Sequence, residues 1–505
     1  MRFVIENMEK ERTDSYDHVL KYTGIFGGVQ GLNIIISLVR NKLVAVLLGP
    51  EGMGLASLFQ TTVNFISQAT NLGISFSAVR NLSELFNTGD EERLAHFVKV
   101  VRAWSLLTGL VGMMVCMLAG SFLSSTTFSW GDHTLHFVLL SPLVCLLAIT
   151  GGETAILKAS RQLRSLAAIQ VYVVLAALII TVPIYYWFGQ SGIVPVMVLI
   201  GLVSMLLTIH CSWHVYPFHL SGVKGILGEG MGMVRLGVAF TLAGILGSGT
   251  DFVIRSYLNN VAGLELVGLY NVGYMMTMTY AGLIFSAMET DFFPRLSAAN
   301  NDVLKSNELV NRQIEVSLLL ISPMLVLAQF VLPIVIPLLL SDAFLPVVDM
   351  IRILLLALYL RAVKLPVAYL PLAKGDALSY LLLEGLYDIA IVVLVIIGYN
   401  LWGLVGTSIA ITFVALLDYF LIIGYAWFKY CYRPTLAVLA YTVLQISLGL
   451  AAYCVAVFTS GLLWWIVGSS LFLATLVLSL WILHQKVSLW NKLLSNFKQR
   501  FSRHG

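Results

Sequence analysis

Three cations set inside apolar stretches are the residues in this chain best suited to chemistry. Arg40 and Lys42 stand just before the run GPEGMGL (Gly49 to Leu55), and Arg255 stands just before GLELVGLY (Gly263 to Tyr270). A charge within a hydrocarbon-length segment is costly and ordinarily faces a wet cavity or a charged partner. A guanidinium is planar, always charged, and presents parallel donors to two phosphate oxygens at once. The chemistry is therefore recognition of an anion inside a membrane. Arg40 lies nine residues before Gly49 and Arg255 eight before Gly263, so both belong to the outer halves of their segments. Two alternatives stay open: a local ion pair of Arg255 with Asp251 one turn earlier, and Lys42 reaching to the outer headgroups.

Polar stripes accompany these cations. Gln30, Asn33, Ser37 and Arg40 share one helical face, as do Gln60, Asn64, Gln68, Asn71 and Ser75, and as do Thr241, Ser248, Asp251 and Arg255. Lipid does not solvate such stripes, so they line either a shared cavity or a hydrogen-bonded helix interface. A second charged group comprises Arg361, Lys364, Glu384 and Asp388. If two helices turn near Lys374, Lys364 meets Glu384 and Arg361 meets Asp388 at equal depth. That arrangement gives structural ion pairs or an element coupled to H+ or Na+, because buried carboxylates titrate when their pairing changes. Asp418, Glu289 and Asp291 have no evident partner. His210 and His214 have a spacing that metal ligands use, with His219 beyond, but no carboxylate or cysteine completes a site, so no metal is expected.

The elements that must position these residues are membrane helices. Of 505 residues, 59% are apolar and 11% charged, with a mean hydropathy of +0.89; soluble chains carry about 25% charge. Spans of about 20 residues fall near 24–48, 55–79, 101–123, 135–157, 166–188, 192–213, 234–257, 267–292, 314–340, 348–372, 378–398, 402–428, 435–458 and 462–484. Lys and Arg occupy alternate connections, which puts an even number of spans in the membrane with both termini cytoplasmic. The chain is thus expected to be all-α, with fourteen transmembrane helices and no cleaved signal segment. Beyond the last span, Leu489, Leu493, Phe497 and Phe501 among basic residues suit either an amphipathic helix on the inner leaflet or a frayed basic tail.

An internal repeat orders the spans. At an offset of 214, Gly49, Glu51, Gly54 and Leu55 match Gly263, Glu265, Gly268 and Leu269, and further on Leu82 and Ser83 match Leu296 and Ser297. Six helices separate the copies, so the repeats are parallel. The expected partition is a six-helix lobe over 1–220, a second over 221–430, and two further helices with a basic tail over 431–505. The net charge of +4 sits in short connections and at the tail, which excludes a nucleic-acid partner. The five cysteines form no paired motif, and no nucleotide-binding motif occurs, so neither a disulfide framework, an ATP-driven pump nor a cofactor is expected.

The run LLGPEGMGLASLFQ, the later GLELVGLYNVGY and the fourteen-span layout resemble the polysaccharide transporters. The likeness is to Wzx-type O-antigen translocases, in the superfamily that also holds MATE exporters and lipid II flippases. The resemblance implies two six-helix lobes around a central cavity. It also implies, as cargo, an undecaprenyl-pyrophosphate-linked oligosaccharide moved to the periplasmic leaflet of the bacterial inner membrane. By position, Arg40 and Arg255 would be its cavity cations, with polysaccharide assembly proteins as further partners. Three alternatives stand beside it. A lipid II flippase is chemically close. A MATE-type ion-coupled exporter favours an acidic cavity, whereas Arg40 and Lys42 would repel a cationic drug. A membrane glycan polymerase or ligase would need a substantial outer loop, and the longest outer loop, 124–134, is short.

Overall fold

The structure, a computed structural model, describes the backbone of residues 2–88, 90–128, 131–217, 226–280 and 295–487, with 282, 285, 292 and 293. Side chains are described from Gly31 onward apart from scattered positions, so Gln30, His219, Glu289, Asp291 and the tail after 487 lie outside the described residues. Among the described residues every regular element is helical. The N-terminal half contains α1 (Arg2–Thr70), α2 (Ile74–Thr88), α3 (Glu91–Leu118), α4 (Gly120–Thr127), α5 (Thr134–Ala159), α6 (Leu163–Phe188) and α7 (Ile193–Val215). It is followed by α8 (Ile226–Ala262) and α9 (Leu264–Tyr274), which a π-helical turn (Met275–Thr279) prolongs. The remainder contains α10 (Val303–Leu339), α11 (Val347–Ala373), α12 (Ala377–Tyr430), α13 (Leu436–Phe458) and α14 (Gly461–Val487).

Nine described stretches are long and apolar enough to cross a membrane, which makes this a multi-pass membrane protein. Three of the nine are interrupted. Stretch 31–70 breaks at Gly49, with φ 64° ahead of Pro50; 164–215 is divided by a 3-10 turn at 189–192; and 377–430 breaks at Trp402 and Gly403. Helix starts follow local chemistry. Asp90, Asp376 and Thr435 each accept a hydrogen bond from the backbone N–H three residues on, as N-caps do.

One predicted span differs. The expected segment 55–79 stops at Thr70, turns through Leu72 and Gly73 at φ 52° and 67°, and resumes as the separate α2. The cause is close packing: a Cβ at Gly73 would lie 2.5 Å from the Gly237 carbonyl oxygen, where α8 passes.

Packing groups the chain into two compact units, Met1–Gly268 with Leu339–Ser341, and Leu269–Leu338 with Asp342–Gly505. Grouped by packing, α8 belongs with α1, α2 and α3, whereas the boundary at 220 rests on internal similarity. In the first unit, Ile74, Ala78 and Leu82 of α2 meet Val98, Val101 and Trp104 of α3, Ile156 of α5 and Met233 of α8. In the second, Val326 and Phe330 of α10 meet Ala452 and Ala456 of α13, with Trp464 of α14 against them. Small residues let membrane helices approach where lipid supplies no hydrophobic drive. Gly54 and Gly268, both in the first unit, do so reciprocally. A Cβ on Gly54 would lie 2.1 Å from the Leu264 carbonyl oxygen, and one on Gly268 would lie 1.9 Å from that of Pro50. Residues 50 and 264, like 54 and 268, are partners at the offset of 214.

Candidate functional site

In the first unit the predicted cations occupy half-buried or buried positions. Arg40 is half-buried, and its Nη2 donates to Asn41 Oδ1 at 3.2 Å. Lys42, Asn33 and Ser37 are also half-buried. Arg255 is only 4% exposed and donates through Nη1 to Asp251 Oδ1 at 2.6 Å, the local ion pair that the i, i+4 spacing allows. The Asp251 side chain keeps 40% exposure, so the pair sits at an accessible edge.

The amide stripe after Pro50 forms one exposed face. Gln60, Asn64 and Gln68 are all exposed, and Gln60 Nε2 donates to Asn64 Oδ1 at 2.9 Å. Past the turn, Asn71 Nδ2 donates to Ser75 Oγ at 2.9 Å. This face adjoins the α8 stripe: Phe65 stacks on Phe252 with centroids 5.4 Å apart, and Gly244 packs against the Gln68 amide. The Ser248 hydroxyl donates to its own helix at Gly244 O, 2.6 Å away, and Thr241 does likewise to Gly237 O at 2.9 Å. Two of the three predicted stripes are therefore brought side by side, and the Thr241 and Ser248 hydroxyls of α8 are spent on local carbonyls.

The second unit holds a cavity of about 280 Å³. It is lined by Tyr274 and Met278, by Arg361, Lys364 and Tyr369 of α11, and by Tyr380, Glu384, Tyr387 and Asp418 of α12. Here the pairing differs from the equal-depth expectation. Lys364 forms its salt bridge with Asp418, from the second half of α12, and its ammonium lies 4.6 Å from the Tyr387 ring centre. The reason is the break at Trp402 and Gly403, which returns α12 alongside α11 and offers a carboxylate from a third segment. Asp418 is 5% exposed and Glu384 half-buried. Arg361 donates through Nη1 to the Met278 carbonyl at 3.3 Å and places its guanidinium over Phe285 at 5.5 Å. Asp388 is buried, and no salt bridge joins it to Arg361 among the described residues.

Beyond this cavity, at the α11–α12 turn, Asp376 accepts from Lys429 Nζ at 2.6 Å, Ser379 Oγ at 2.7 Å and Tyr430 Oη at 2.8 Å. Those bonds, Lys429 foremost, hold its carboxyl well below the usual carboxylate range.

Sequence reasoning missed one buried ion pair. Arg102 of α3 grips Glu153 of α5 through two of its three guanidinium nitrogens, Nε to Oε1 at 2.8 Å and Nη2 to Oε2 at 3.2 Å. It also donates to the Tyr216 carbonyl at 2.9 Å, satisfying the C-terminal end of α7, while Trp213 Nε1 donates to Glu153 Oε1 at 3.3 Å. A lone carboxylate inside the predicted span 135–157 was the available signal. His210 and His214 are exposed, and no metal-ligand cluster occurs among the described residues.

The sequence profile of a family described as "polysaccharide biosynthesis protein" matches residues 43–349. No curated protein matches the chain. Among solved structures, a lipid II flippase, MurJ, in an inward closed conformation aligns with TM-score 0.72 at 13% identity, over 92% of this chain and 99% of that one. A MATE-family multidrug resistance transporter of the MOP superfamily, in an inward-facing conformation, aligns with TM-score 0.65 at 17% identity, over 83% and 96%. A MOP-superfamily transporter from Pyrococcus furiosus with reversed polarity of its binding pocket aligns with TM-score 0.57 at 16% identity, over 81% and 94%. The fold is that of the MOP transporters.

Proposed function

Because this chain belongs to the polysaccharide biosynthesis protein family and has a transporter fold, we propose that it is a flippase. Its cargo is an undecaprenyl-pyrophosphate-linked oligosaccharide, an O-antigen or similar surface-polysaccharide repeat unit. The cargo moves from the cytoplasmic to the periplasmic leaflet of the bacterial inner membrane. The observation that carries this reading is the placement of cations and an exposed amide face on membrane-length helices of a polysaccharide-family chain.

Physical chemistry assigns the parts. A pyrophosphate and its sugars cannot enter hydrocarbon without losing hydrogen bonds worth several kcal/mol each, on the order of those lost by any bare polar group; the lipid tail can stay in the bilayer. Two lobes, over 1–220 and 221–430, rock to open a polar cleft to each side in turn, with 431–505 appended. Arg40, Lys42 and Arg255 hold the pyrophosphate. Arg255 exchanges Asp251 for phosphate oxygens, a trade between two charge-assisted hydrogen bonds of similar strength. Gln60, Asn64 and Gln68 meet sugar hydroxyls. The proposed topology has fourteen spans, with each of the three interrupted stretches counted as two, and both termini cytoplasmic, as the alternation of basic connections suggests. The driving force is an H+ or Na+ gradient or the cargo's own gradient.

The closeness of fold to a lipid II flippase favours one second reading, in which the cargo is lipid II. Purified protein in liposomes, offered each lipid-linked saccharide in turn, tests both. The expected result is transfer of the oligosaccharide cargo that drops at least tenfold in Arg40→Ala and Arg255→Ala, at unchanged protein content. Transfer of lipid II alone would establish the second reading, and transfer of neither would refute both.

A further inference from the structure

The cavity of the second unit is lined by polar groups left half-satisfied. Among the described residues Glu384 makes no hydrogen bond or salt bridge, the Tyr387 hydroxyl makes none, and only Nη1 of the Arg361 guanidinium has a hydrogen-bond partner. A carboxylate and a guanidinium edge facing space inside an apolar helix layer are expensive unless water or a ligand answers them. Lys364 and Asp418 neutralise each other, so the groups available to a ligand are one acceptor, Glu384, one donor fork, Arg361, and one hydroxyl.

That combination selects among ligand chemistries. A phosphate or pyrophosphate uses the Arg361 donors but meets two carboxylates. A metal cation uses Glu384 but meets a guanidinium and an ammonium. A neutral polyol uses all of them, because each hydroxyl both donates to a carboxylate and accepts from a guanidinium. Four tyrosines, at positions 274, 369, 380 and 387, line the space and supply the aromatic surface that the C–H face of a sugar ring packs on. At about 280 Å³ the space falls just short of the ~300 Å³ at which pockets for drug-sized ligands begin, so it takes one ring rather than an oligosaccharide.

We infer that this cavity is a saccharide subsite, which holds a single sugar ring with its hydroxyls on Glu384 and Arg361 and its face on tyrosine. The inference rests on the flippase reading for the origin of that sugar, not for the pocket's chemistry. It adds a single-ring contact in the second unit to the cations and the amide face of the first.

Saturation-transfer NMR on the full chain in nanodiscs tests it, with a neutral methyl hexopyranoside and its N-acetylamino counterpart as probes and with inorganic pyrophosphate and Na+ as competitors. At least one glycoside is expected to bind, with Kd raised at least tenfold by Glu384→Gln and by Arg361→Gln and several-fold by Tyr387→Phe. Ala415→Phe fills the cavity without touching a charge and is expected to abolish binding. It also keeps the test valid should a charge variant fail to fold. Absence of glycoside binding, binding indifferent to Ala415→Phe, or displacement of glycoside by pyrophosphate or Na+ would each overturn the assignment. Glycoside binding in a protein that moves no lipid-linked saccharide would sink the flippase reading and leave the pocket standing.

Discussion

The salt bridge of Lys364 with Asp418, in place of the Glu384 that equal depth suggests, makes a quantitative prediction about pairing. Lys364→Met leaves the Asp418 carboxylate, 4% exposed, without a counter-ion, and breaking a buried pair in this way costs about 3–5 kcal/mol. Asp418→Asn leaves an ammonium that is 17% exposed at the cavity wall, with Glu384 within electrostatic reach. Its cost is therefore nearer the ~1.5–3 kcal/mol of one charged hydrogen bond. The double variant strands neither charge, so it is expected to be more stable than Lys364→Met alone. The implied coupling therefore exceeds the cost of Asp418→Asn alone, about 1.5–3 kcal/mol, which places it at or above the upper end of the range measured for contacting residues. Thermal unfolding in detergent, followed by intrinsic tryptophan fluorescence, reads this. A parallel cycle of Lys364→Met with Glu384→Gln is expected to show little coupling. Additivity in the Asp418 cycle, or stronger coupling to Glu384, would refute the pairing.

Three further outcomes are expected. Glu153→Ala strands Arg102, whose side chain is 8% exposed; thermal melts should show a loss of about 3 kcal/mol, softened by the Tyr216 carbonyl that Arg102 keeps. Gly268→Ala forces a Cβ into the Pro50 carbonyl and should cost about 1–3 kcal/mol as overpacking, read as a lower melting midpoint, while Gly247→Ala, with open space around it, should not. Asp376→Asn should lower the midpoint at neutral pH. Since the folded carboxyl lies below its ordinary value, its stabilisation is complete above about pH 4 and fades only as pH falls through the folded value. The gap between wild type and variant should therefore stay constant from pH 7 to 5 and narrow only at stronger acidity.

Local patterns in the sequence were enough for most of the fold. Apolar run lengths marked the helices, Gly49 and Pro50 marked a break, and i, i+4 spacing allowed the Asp251–Arg255 pair. What escaped depended on which helices become neighbours. Asp418 stood alone in the sequence because its partner lies 54 positions away, across two changes of direction. The segment expected at 55–79 looked continuous because nothing within it announces the passage of α8 beside Gly73. Arg102 and Glu153, 51 positions apart, escaped for the same reason.

The reciprocal approach of Gly54 and Gly268 bears on how the two repeat copies could diverge. Each glycine touches a main-chain oxygen of the opposite copy, so no side chain intervenes that drift could reshape on one side and compensate on the other. Change in the sequence around such a joint is therefore narrowly constrained. Among the matches at an offset of 214, Gly54 with Gly268 is the one whose absence of a side chain is itself the contact.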